Sequence, residues 1–313
     1  MKKASVIISY SGITSLMSCE QKYCFQFMRF LEKKQFVKYF AEGNAFQYGV
    51  FQLMVGVQVD KVVKLVSKFL DKYLDSLRDD IAVSSADEQQ FIEIKASMDG
   101  MIRAYASMYE KDLRVEKHIA NEVNCIYPLT KHVDIGAQFD NIIEVKGKWY
   151  LHEGKAWKSL SDNSINNIKN SFQIATYYYA HNTTPKKLKI KNIQSKPFSG
   201  IIFDAVQKPS IRKKKGEQYK AFLKRLESYY TSSEGKFYKE VIFPKISYKN
   251  WHHTITSLAD RVCELHDGRK PIKMLDSNCG WCDFYELCYT GETKKTLALF
   301  KQSDYKNRYK QGG

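Results

Sequence analysis

The sequence predicts an α/β fold, in which one continuous domain surrounds a central sheet with helices. Residues 133 to 144 and 148 to 155 alternate β-branched or aromatic residues with polar ones, which is the pattern of two strands. Apolar residues recur at helical spacing before and after these strands. The 6 prolines lie mostly outside the predicted elements, and no low-complexity linker divides the 313 residues. A chain of this length can bury a substantial core.

Helices are predicted for the first third of the chain. One begins at Ser11 and continues to about residue 35. Its apolar stripe consists of Ile13, Leu16, Met17, Cys24, Phe27 and Phe30. A second helical stretch follows Gly43, and a third covers roughly 88 to 117. We therefore expect a helical N-terminal part over about 11 to 117.

The second half of the chain is predicted to mix helices and strands. After the two strands, the pattern predicts a helix over 164 to 181, a strand over Gly200 to Val206, a basic loop at 207 to 217, and helices near 217 to 232 and 250 to 267. Residues 1 to 300 are expected to form one domain, with its core at about 118 to 206. A C-terminal part at about 207 to 300 and a basic tail at 301 to 313 would follow.

The charge balance favours a polyanionic partner. Lys and Arg number 50 against 34 Asp and Glu, which gives a formal net charge of +16. Nucleic acid is preferred to an anionic membrane because no apolar run approaches the roughly 20 residues that a spanning helix needs. The start, MKKASVIISYSG, has too short an apolar stretch for a signal peptide, so we expect a cytosolic protein. An odd number of cysteines, 7, then indicates reduced thiols or metal ligands instead of disulfides.

The stretch IGAQFDNIIEVKGKWYLHEGKAW carries the main chemical signal. Lys146 and Gly147 suit a two-residue hairpin turn. Counting outward from that turn along both strands places Asp140 directly opposite Glu153. Opposed side chains have Cβ atoms about 4.5 to 5.5 Å apart, and like charges so placed are destabilising unless something offsets them. A divalent cation would do so.

Lys155 completes this constellation. Strand alternation places it on the face of Glu153, while His152 and Gly154 point to the other side. The carboxylates would hold Mg²⁺ or Mn²⁺, which activates a water and polarises a phosphoryl oxygen, and the lysine would support the nucleophile or the developing charge. The pattern Asp-x12-Glu-x-Lys therefore indicates phosphodiester hydrolysis. From the hairpin alone, a solvated strand face explains Glu-x-Lys equally well.

Several motifs together resemble the RecB-like branch of the PD-(D/E)XK nucleases, over most of the chain. SYSGITSLMSCEQKYCFQF is similar to the N-terminal motif of that branch, GAQFD to its Gly-x-x-Asp motif, and EGK to its Asp/Glu-x-Lys motif. QIATY places Gln173 four residues before Tyr177, as in its Gln-x-x-x-Tyr motif. The branch includes CRISPR-associated nucleases and phage or bacterial recombination exonucleases. The resemblance implies a restriction-endonuclease-like core, in which helices flank a mixed β-sheet, with a helical N-terminal part and a Cys-rich C-terminal clasp.

The resemblance also implies a set of catalytic and metal-binding residues. Catalysis would rest on Asp140, Glu153 and Lys155. Mg²⁺ or Mn²⁺ would be held by Asp140, Glu153 and the backbone carbonyl of Gly154. The branch often adds a metal-binding histidine in a Gly-x-x-x-His pattern, and here the nearest match, GNAFQ, ends in Gln47. A neutral amide still ligates a hard cation or orients its water, but it binds transition metals less strongly than imidazole does.

Other polar residues are candidates for substrate contacts. By resemblance, Gln173 and Tyr177 would contact DNA or position the lysine, and helical spacing places them on one face. A buried polar pair that closes a helix on the sheet is the alternative. The basic loop and the tail KQSDYKNRYKQ suggest phosphate contacts that ignore base sequence, or simply solvated charge. The loop residues concerned are Arg212, Lys213, Lys214 and Lys215. Glu122 would be an outer carboxylate or an ordinary surface charge.

Three late cysteines have the spacing of metal ligands. Cys279, Cys282 and Cys288 form a Cys-x2-Cys-x5-Cys run that core packing hardly explains. The resemblance implies a four-iron, four-sulfur cluster with one early and three late cysteines, which makes Cys19 the fourth ligand. Zinc in a four-cysteine site is the chemical alternative, and either metal would tie residue 19 to residue 288. The remaining cysteines are expected to be ordinary apolar residues: Cys24, Cys125 and Cys263.

These features predict an Mg²⁺- or Mn²⁺-dependent DNase, an exonuclease rather than a sequence-specific endonuclease. It would act in recombination, repair or phage DNA processing, with a helicase or recombination protein as its expected partner class. A non-catalytic nuclease-like scaffold that binds DNA or a helicase is the rival, and Gln47 is its best support. An RNA-processing enzyme is a third alternative.

Overall fold

The computed structural model describes residues 5–81, 83–184, 189–190, 193–232, 235–303 and 305. Its strands are β1 (Val6–Ser9), β2 (Leu31–Lys33), β3 (Lys117–Pro128), β4 (Val133–Val145), β5 (Lys148–Trp157), β6 (Lys189–Ile190), β7 (Ile193–Gln194), β8 (Phe198–Gln207), β9 (Phe237–Ile242) and β10 (Phe300–Gln302). Its α-helices are α1 (Tyr10–Ser18), α2 (Glu20–Tyr23), α3 (Lys38–Met54), α4 (Val59–Asp80), α5 (Ser85–Met108), α6 (Glu110–Val115), α7 (Asp162–Lys169), α8 (Phe172–Thr183), α9 (Tyr219–Thr231), α10 (Tyr248–His266), α11 (Tyr285–Thr290) and α12 (Lys294–Leu297). A π-helix covers Cys24–Met28, and a 3₁₀ helix covers Ser277–Trp281.

The central sheet is mixed, as predicted. Its strand order is β1-β4-β5-β8-β9, and β3 also pairs with β4. Because β3 lies along one edge of β4 for most of its length, β1 and β5 share the other edge. β1 pairs with residues 133 to 136 of β4, and β5 pairs with residues 141 to 145. The edge of β4 is therefore split, and residues 137 to 140 face the opening between the two partner strands.

The β4–β5 hairpin has the predicted register. Val145 pairs with Lys148, and the ladder continues to Asn141 and His152. Lys146 and Gly147 both have positive φ angles, 50° and 77°, as a type I′ turn requires. This turn fixes the pairing, so the next positions in register are residues 140 and 153.

Helices cover both faces of the sheet, and side chains from the strands alternate between two apolar clusters. Ile142, Leu151 and Phe203 belong to the cluster that includes residues of α1, α8 and α10. Ile143 and Ile202 belong to the cluster that includes residues of α3, α4 and α5. Within the described residues, no helix combines the length and apolar character needed to cross a bilayer.

The predicted helix over 11 to 35 is wrong in its continuity. Cys19 has an extended backbone, with φ −169° and ψ 121°, and it separates α1 from α2. The chain then leaves the helical region at Phe30, which has a φ of 56°, and β2 pairs with β10 near the C-terminus. Ile13, Leu16 and Phe27 of the predicted apolar stripe are buried, but Met17 is exposed. The tertiary contacts of β2 decide where the helix ends.

Other boundaries also differ from the prediction. The helix predicted to follow Gly43 begins at Lys38 and contains that glycine. The helix predicted over 164 to 181 is two helices, because Ser171 accepts a hydrogen bond from the Gln173 amide and starts α8. Three strands of the central sheet were not predicted: β1, β3 and β9.

His181 is a buried histidine whose packing predicts an acid-sensitive stability. Its Nδ1 lies 2.9 Å from the Tyr127 hydroxyl, its Nε2 lies 2.8 Å from the Lys196 carbonyl oxygen, and its ring stacks on Phe198. Burial lowers the pKa of His181 to about 4 from an ordinary 6.5. The unfolded chain therefore binds a proton between those pH values that the folded chain does not, and stability falls as the pH drops through this window.

We expect the free energy of unfolding in urea to fall by about 2 kcal/mol between pH 7 and pH 5 through His181 alone. His181→Gln retains hydrogen-bonding groups but does not titrate, so its pH dependence should be shallower by that amount. His253→Gln, at an exposed position on α10, is the control and should keep the wild-type slope. Equal slopes for His181→Gln and the wild type would contradict the prediction.

Candidate active site

A small cavity of about 120 Å³ opens where the edge of β4 is split. It is lined by Ser9, Tyr10, Ser11, Gly136, Gln138, Asp140, Glu153, Lys155, Gln173 and Tyr177. The predicted catalytic residues and the glutamine-tyrosine pair of α8 thus converge on one space, from β4, β5 and α8.

Asp140 and Glu153 form a closely coupled pair of acids. Glu153 is only 1% exposed, and its Oε2 receives no hydrogen bond from the described residues. Burial, followed by the negative charge of Glu153, raises the pKa of Asp140 well above its usual range. An uncompensated buried carboxylate oxygen beside a second acid is unfavourable, and a bound cation would relieve it.

Lys155 partly neutralises this pair. Its Nζ lies 2.6 Å from Glu153 Oε1 and 4.0 Å from Asp140 Oδ2. Burial alone would lower the pKa of Lys155, but the charges of Glu153 and Asp140 together raise it. The lysine is therefore held as a cation at the cavity.

Gln47 of α3 contacts the same site through its amide nitrogen. Nε2 donates to Asp140 Oδ2 at 2.7 Å and to the Gly154 carbonyl oxygen at 3.2 Å. Both partners are acceptors, so the NH₂ group must face them. Asp140 and the Gly154 carbonyl, two of the predicted metal ligands, therefore both accept hydrogen bonds from Gln47 Nε2. In this arrangement Gln47 is a donor to the ligands, and the amide would have to flip to become a ligand itself.

Gln173 and Tyr177 lie on one face of α8, and Gln173 contacts both Tyr177 and Glu153. Gln173 Nε2 lies 3.2 Å from the Tyr177 hydroxyl and 3.4 Å from Glu153 Oε1. Burial is the largest factor that raises the pKa of Tyr177, and the charge of Glu153 adds to it, so the phenol remains neutral. Tyr177 is buried, Gln173 is half-buried, and the pair contacts the site through Glu153.

The N-terminal motif also contributes to the cavity, a contribution that the sequence did not predict. Ser9 accepts a hydrogen bond from the Gly12 amide at 3.1 Å and caps α1. Parallel pairing of β1 with residues 133 to 136 carries this cap to the opening beside Asp140. The signal was present in the letters SYSG, but its use as a helix cap at the site depends on the pairing of β1 with β4.

Two candidate groups lie outside the cavity lining. The loop at 212 to 215 is tied to α9, because Arg225 donates to the Arg212 carbonyl oxygen and pairs with Glu217. Glu122 is exposed, with a positive φ of 48° on β3. Neither contributes to the opening that contains the acids. Residues 304 and 306 to 313 of the predicted basic tail lie outside the described residues.

The early and late cysteines belong to one region of the fold. Cys282 and Cys288 pack against a small apolar cluster made of Phe25, Leu31, Phe284, Leu287 and Phe300. Burial raises the pKa of the Cys288 thiol, Lys273 lowers it, and the thiols of Cys19, Cys282 and Cys279 raise it further. The thiols of Cys19, Cys279 and Cys282 are thus within electrostatic reach of Cys288. Among the described residues, however, no three His, Cys, Asp or Glu side chains meet the geometry of a preformed metal site.

Glu20 anchors the early cysteine segment to the C-terminal part. Its carboxylate is 2% exposed and accepts hydrogen bonds from Arg261, Arg269 and the Ile272 amide. The Arg269 hydrogen bond is the main reason that the pKa of Glu20 falls to about 2, although burial opposes it. The neighbouring Cys19 Sγ lies 3.9 Å from the Ile272 carbonyl oxygen. The two ends of the chain are therefore joined by protein contacts at this point.

The sequence matches one known family model over most of its length. Residues 7–289 match the family model of the PD-(D/E)XK nuclease superfamily. No curated protein matches the sequence. One similar solved structure is described as "Crystal structure of SSO0001", with 14% identity, a TM-score of 0.32, and coverage of 73% of this chain and 98% of that one. The family match extends over most of the chain and includes the hairpin, and on that basis the chain belongs to the PD-(D/E)XK nuclease superfamily.

Proposed function

We propose that the chain is an Mg²⁺- or Mn²⁺-dependent deoxyribonuclease of the RecB-like branch, an exonuclease that acts in recombination, repair or phage DNA processing. The observation that carries the proposal is the buried Glu153 carboxylate, which faces Asp140 and Lys155 in one cavity and has an oxygen that no described residue satisfies. The exonuclease assignment rests on the resemblance of the motifs to that branch.

The residues present fit a hard divalent cation. Asp140, Glu153 and the Gly154 carbonyl supply oxygen ligands, which Mg²⁺ and Mn²⁺ prefer, and water would complete the coordination. A scaffold that only binds DNA has no evident use for two opposed acids, of which Asp140 has a pKa raised first by burial and then by the charge of Glu153.

The surrounding residues have separate roles in the proposed reaction. When bound, the cation lowers the pKa of a water and polarises the phosphoryl oxygen. Lys155 remains charged and is placed to stabilise negative charge on the reacting phosphate. Gln173 bridges Tyr177 and Glu153, so it orients the carboxylate and closes α8 on the site.

The test is cleavage by the purified protein of linear, circular and single-stranded DNA, with and without Mn²⁺. We expect degradation of linear DNA only with the metal, and no attack on covalently closed circles. Cleavage of circles would support an endonuclease. Faster cleavage of an RNA substrate, compared in the same assay, would support the RNA-processing alternative. If no substrate is cleaved, with or without Mn²⁺, the non-catalytic scaffold is favoured. The hydrogen bond that Gln47 donates to Asp140 is the specific support for that alternative.

Gln47→His is expected to preserve or raise Mn²⁺-dependent cleavage. An imidazole nitrogen at this position replaces an amide that donates to Asp140 and restores a ligand type that transition metals bind more strongly. Cleavage should be measured across a Mn²⁺ titration, with Gln52→His on the same helix but outside the cavity lining as the control. Loss of activity in Gln47→His alone would contradict the prediction, and revival of an inactive wild type would support the scaffold.

We also propose that Cys19, Cys279, Cys282 and Cys288 bind a four-iron, four-sulfur cluster, with zinc as the alternative. The electrostatic influence of the other three thiols on Cys288 and the Glu20 anchor beside Cys19 support this assignment. The thiols would have to draw closer together on assembly, because they do not meet metal-site geometry here. The role of the cluster would be structural, at the junction of the two ends of the chain.

A further inference from the structure

A buried polar network lies behind the candidate active site, on the opposite face of the sheet. Asp204 Oδ2 accepts hydrogen bonds from the Tyr105 hydroxyl and, at 3.1 Å, from His152 Nε2. Because an ionised carboxylate only accepts, the Nε2–H tautomer of His152 is assigned. All three residues are at most 1% exposed, and neither Asp204 Oδ1 nor His152 Nδ1 has a partner among the described residues.

This network touches both elements that place groups beside Asp140. In the parallel pairing of β5 with β8, Asp204 is the partner of Gly154, whose carbonyl oxygen accepts from Gln47. The Tyr105 ring packs edge-on against Phe46, the neighbour of Gln47 on α3, with 5.8 Å between ring centroids. The network thus connects β5 to α3 on the face of the sheet opposite the cavity.

The fold alone gives no reason for a carboxylate at this position. Asp204 interrupts an apolar stripe on β8, between Ile202 and Val206, which both belong to the core beneath α3 and α5. Burying polar groups with unsatisfied atoms is unfavourable, and apolar replacements of buried polar sets are often neutral or stabilising. The hydrogen bonds that Tyr105 and His152 make to one carboxylate oxygen, in contrast, fix the relative positions of α5, β5 and β8.

We propose that Tyr105, Asp204 and His152 are positioning residues that hold the Gly154 carbonyl and Gln47 in the geometry required for divalent metal binding. This inference rests on the proposed metal-dependent nuclease function. The three side chains act through the backbone of β5 and through α3, and they do not touch the cavity. Loss of the network would let the ligands move apart without removing any of them.

The test is direct Mn²⁺ binding by calorimetry to the full-length protein. Asp204→Asn keeps the side-chain volume and removes the charge, and we expect affinity to fall about 10- to 100-fold, as outer-shell substitutions do. Tyr105→Phe removes one hydroxyl and keeps the ring on Phe46, so a smaller loss is expected. High Mn²⁺ should restore the cleavage rate of both variants, which a general loss of structure would not allow.

Val206→Ala is the matched control, because it opens a cavity on the same strand face without touching the network. It should lower the melting temperature and leave Mn²⁺ affinity within about twofold of the wild type. If Asp204→Asn does not fold, Tyr105→Phe decides the question. Wild-type affinity in the folded network variants overturns the inference alone. A wild type that binds no Mn²⁺, or a Glu153→Ala variant that binds it normally, overturns the proposed function as well.

Discussion

We expect that Asp140→Ala and Glu153→Ala each abolish DNA cleavage while the protein remains folded. Each substitution removes one of the two acids that would hold the cation, and the remaining groups cannot replace it. Lys155→Ala retains both acids but loses the ammonium group that would stabilise negative charge on the reacting phosphate. Its cleavage rate should therefore fall by about 10²- to 10³-fold. The measurement is cleavage of linear DNA under saturating Mn²⁺.

Replacing one of these acids should stabilise the metal-free protein, although it abolishes cleavage. Burial and then the negative charge of Glu153 raise the pKa of Asp140, so an uncharged side chain at this position removes an unfavourable buried charge from the metal-free protein. We therefore expect Asp140→Asn to melt at or above the wild-type temperature without metal. Adding Mn²⁺ should raise the melting temperature of the wild type and leave that of Asp140→Asn unchanged, since a ligand stabilises only the state that binds it.

Glu144→Gln is the control for these variants, because Glu144 lies on the same hairpin but outside the cavity lining. It should keep full cleavage. Persistent cleavage by Glu153→Ala would show that the hairpin acids do not form the active site. A thermal response of Glu153→Ala to Mn²⁺ equal to that of the wild type would place the metal elsewhere.

The hairpin could be predicted because its register depends on local chemistry. A two-residue turn with Gly147 leaves a single pairing, and the period of two then assigns each side chain to a face. His152 and Glu153 accordingly point to opposite faces, one to the Asp204 network and the other to the cavity. No knowledge of distant parts of the chain was needed for these assignments.

The rest of the site depends on pairings between distant segments. The opening beside Asp140 exists because β1 and β5 share one edge of β4, and β1 is too short to stand out in the sequence. The partnership of Tyr105 with Asp204 joins residues 99 positions apart. The break at Cys19 was missed for a similar reason, since contacts with the C-terminal segment accompany it. Periodicity shows which face is buried but not which segment covers it.

Cys19 lies at the break between α1 and α2, where its thiol contacts the C-terminal part at Ile272 and influences the pKa of Cys288, and the last prediction concerns these cysteines. Protein purified without oxygen should be brown, absorb light at about 400 nm, and contain about four iron atoms per chain. Each of four serine variants should lose the colour and the iron: Cys19→Ser, Cys279→Ser, Cys282→Ser and Cys288→Ser. Because metal binding is coupled to folding, these variants should also melt earlier and be cut by proteases near the C-terminus.

The controls separate the cluster from the protein contacts around it. Cys24→Ser, Cys125→Ser and Cys263→Ser should keep their iron, since none of these thiols contributes to the raised pKa of Cys288. Glu20→Gln breaks the anchor to Arg261 and Arg269 without removing a thiol, so it should loosen the C-terminal segment and retain the colour. One zinc and no iron per chain would refute the cluster and leave a four-cysteine clasp. Full metal content in Cys19→Ser would show that another residue supplies the fourth ligand.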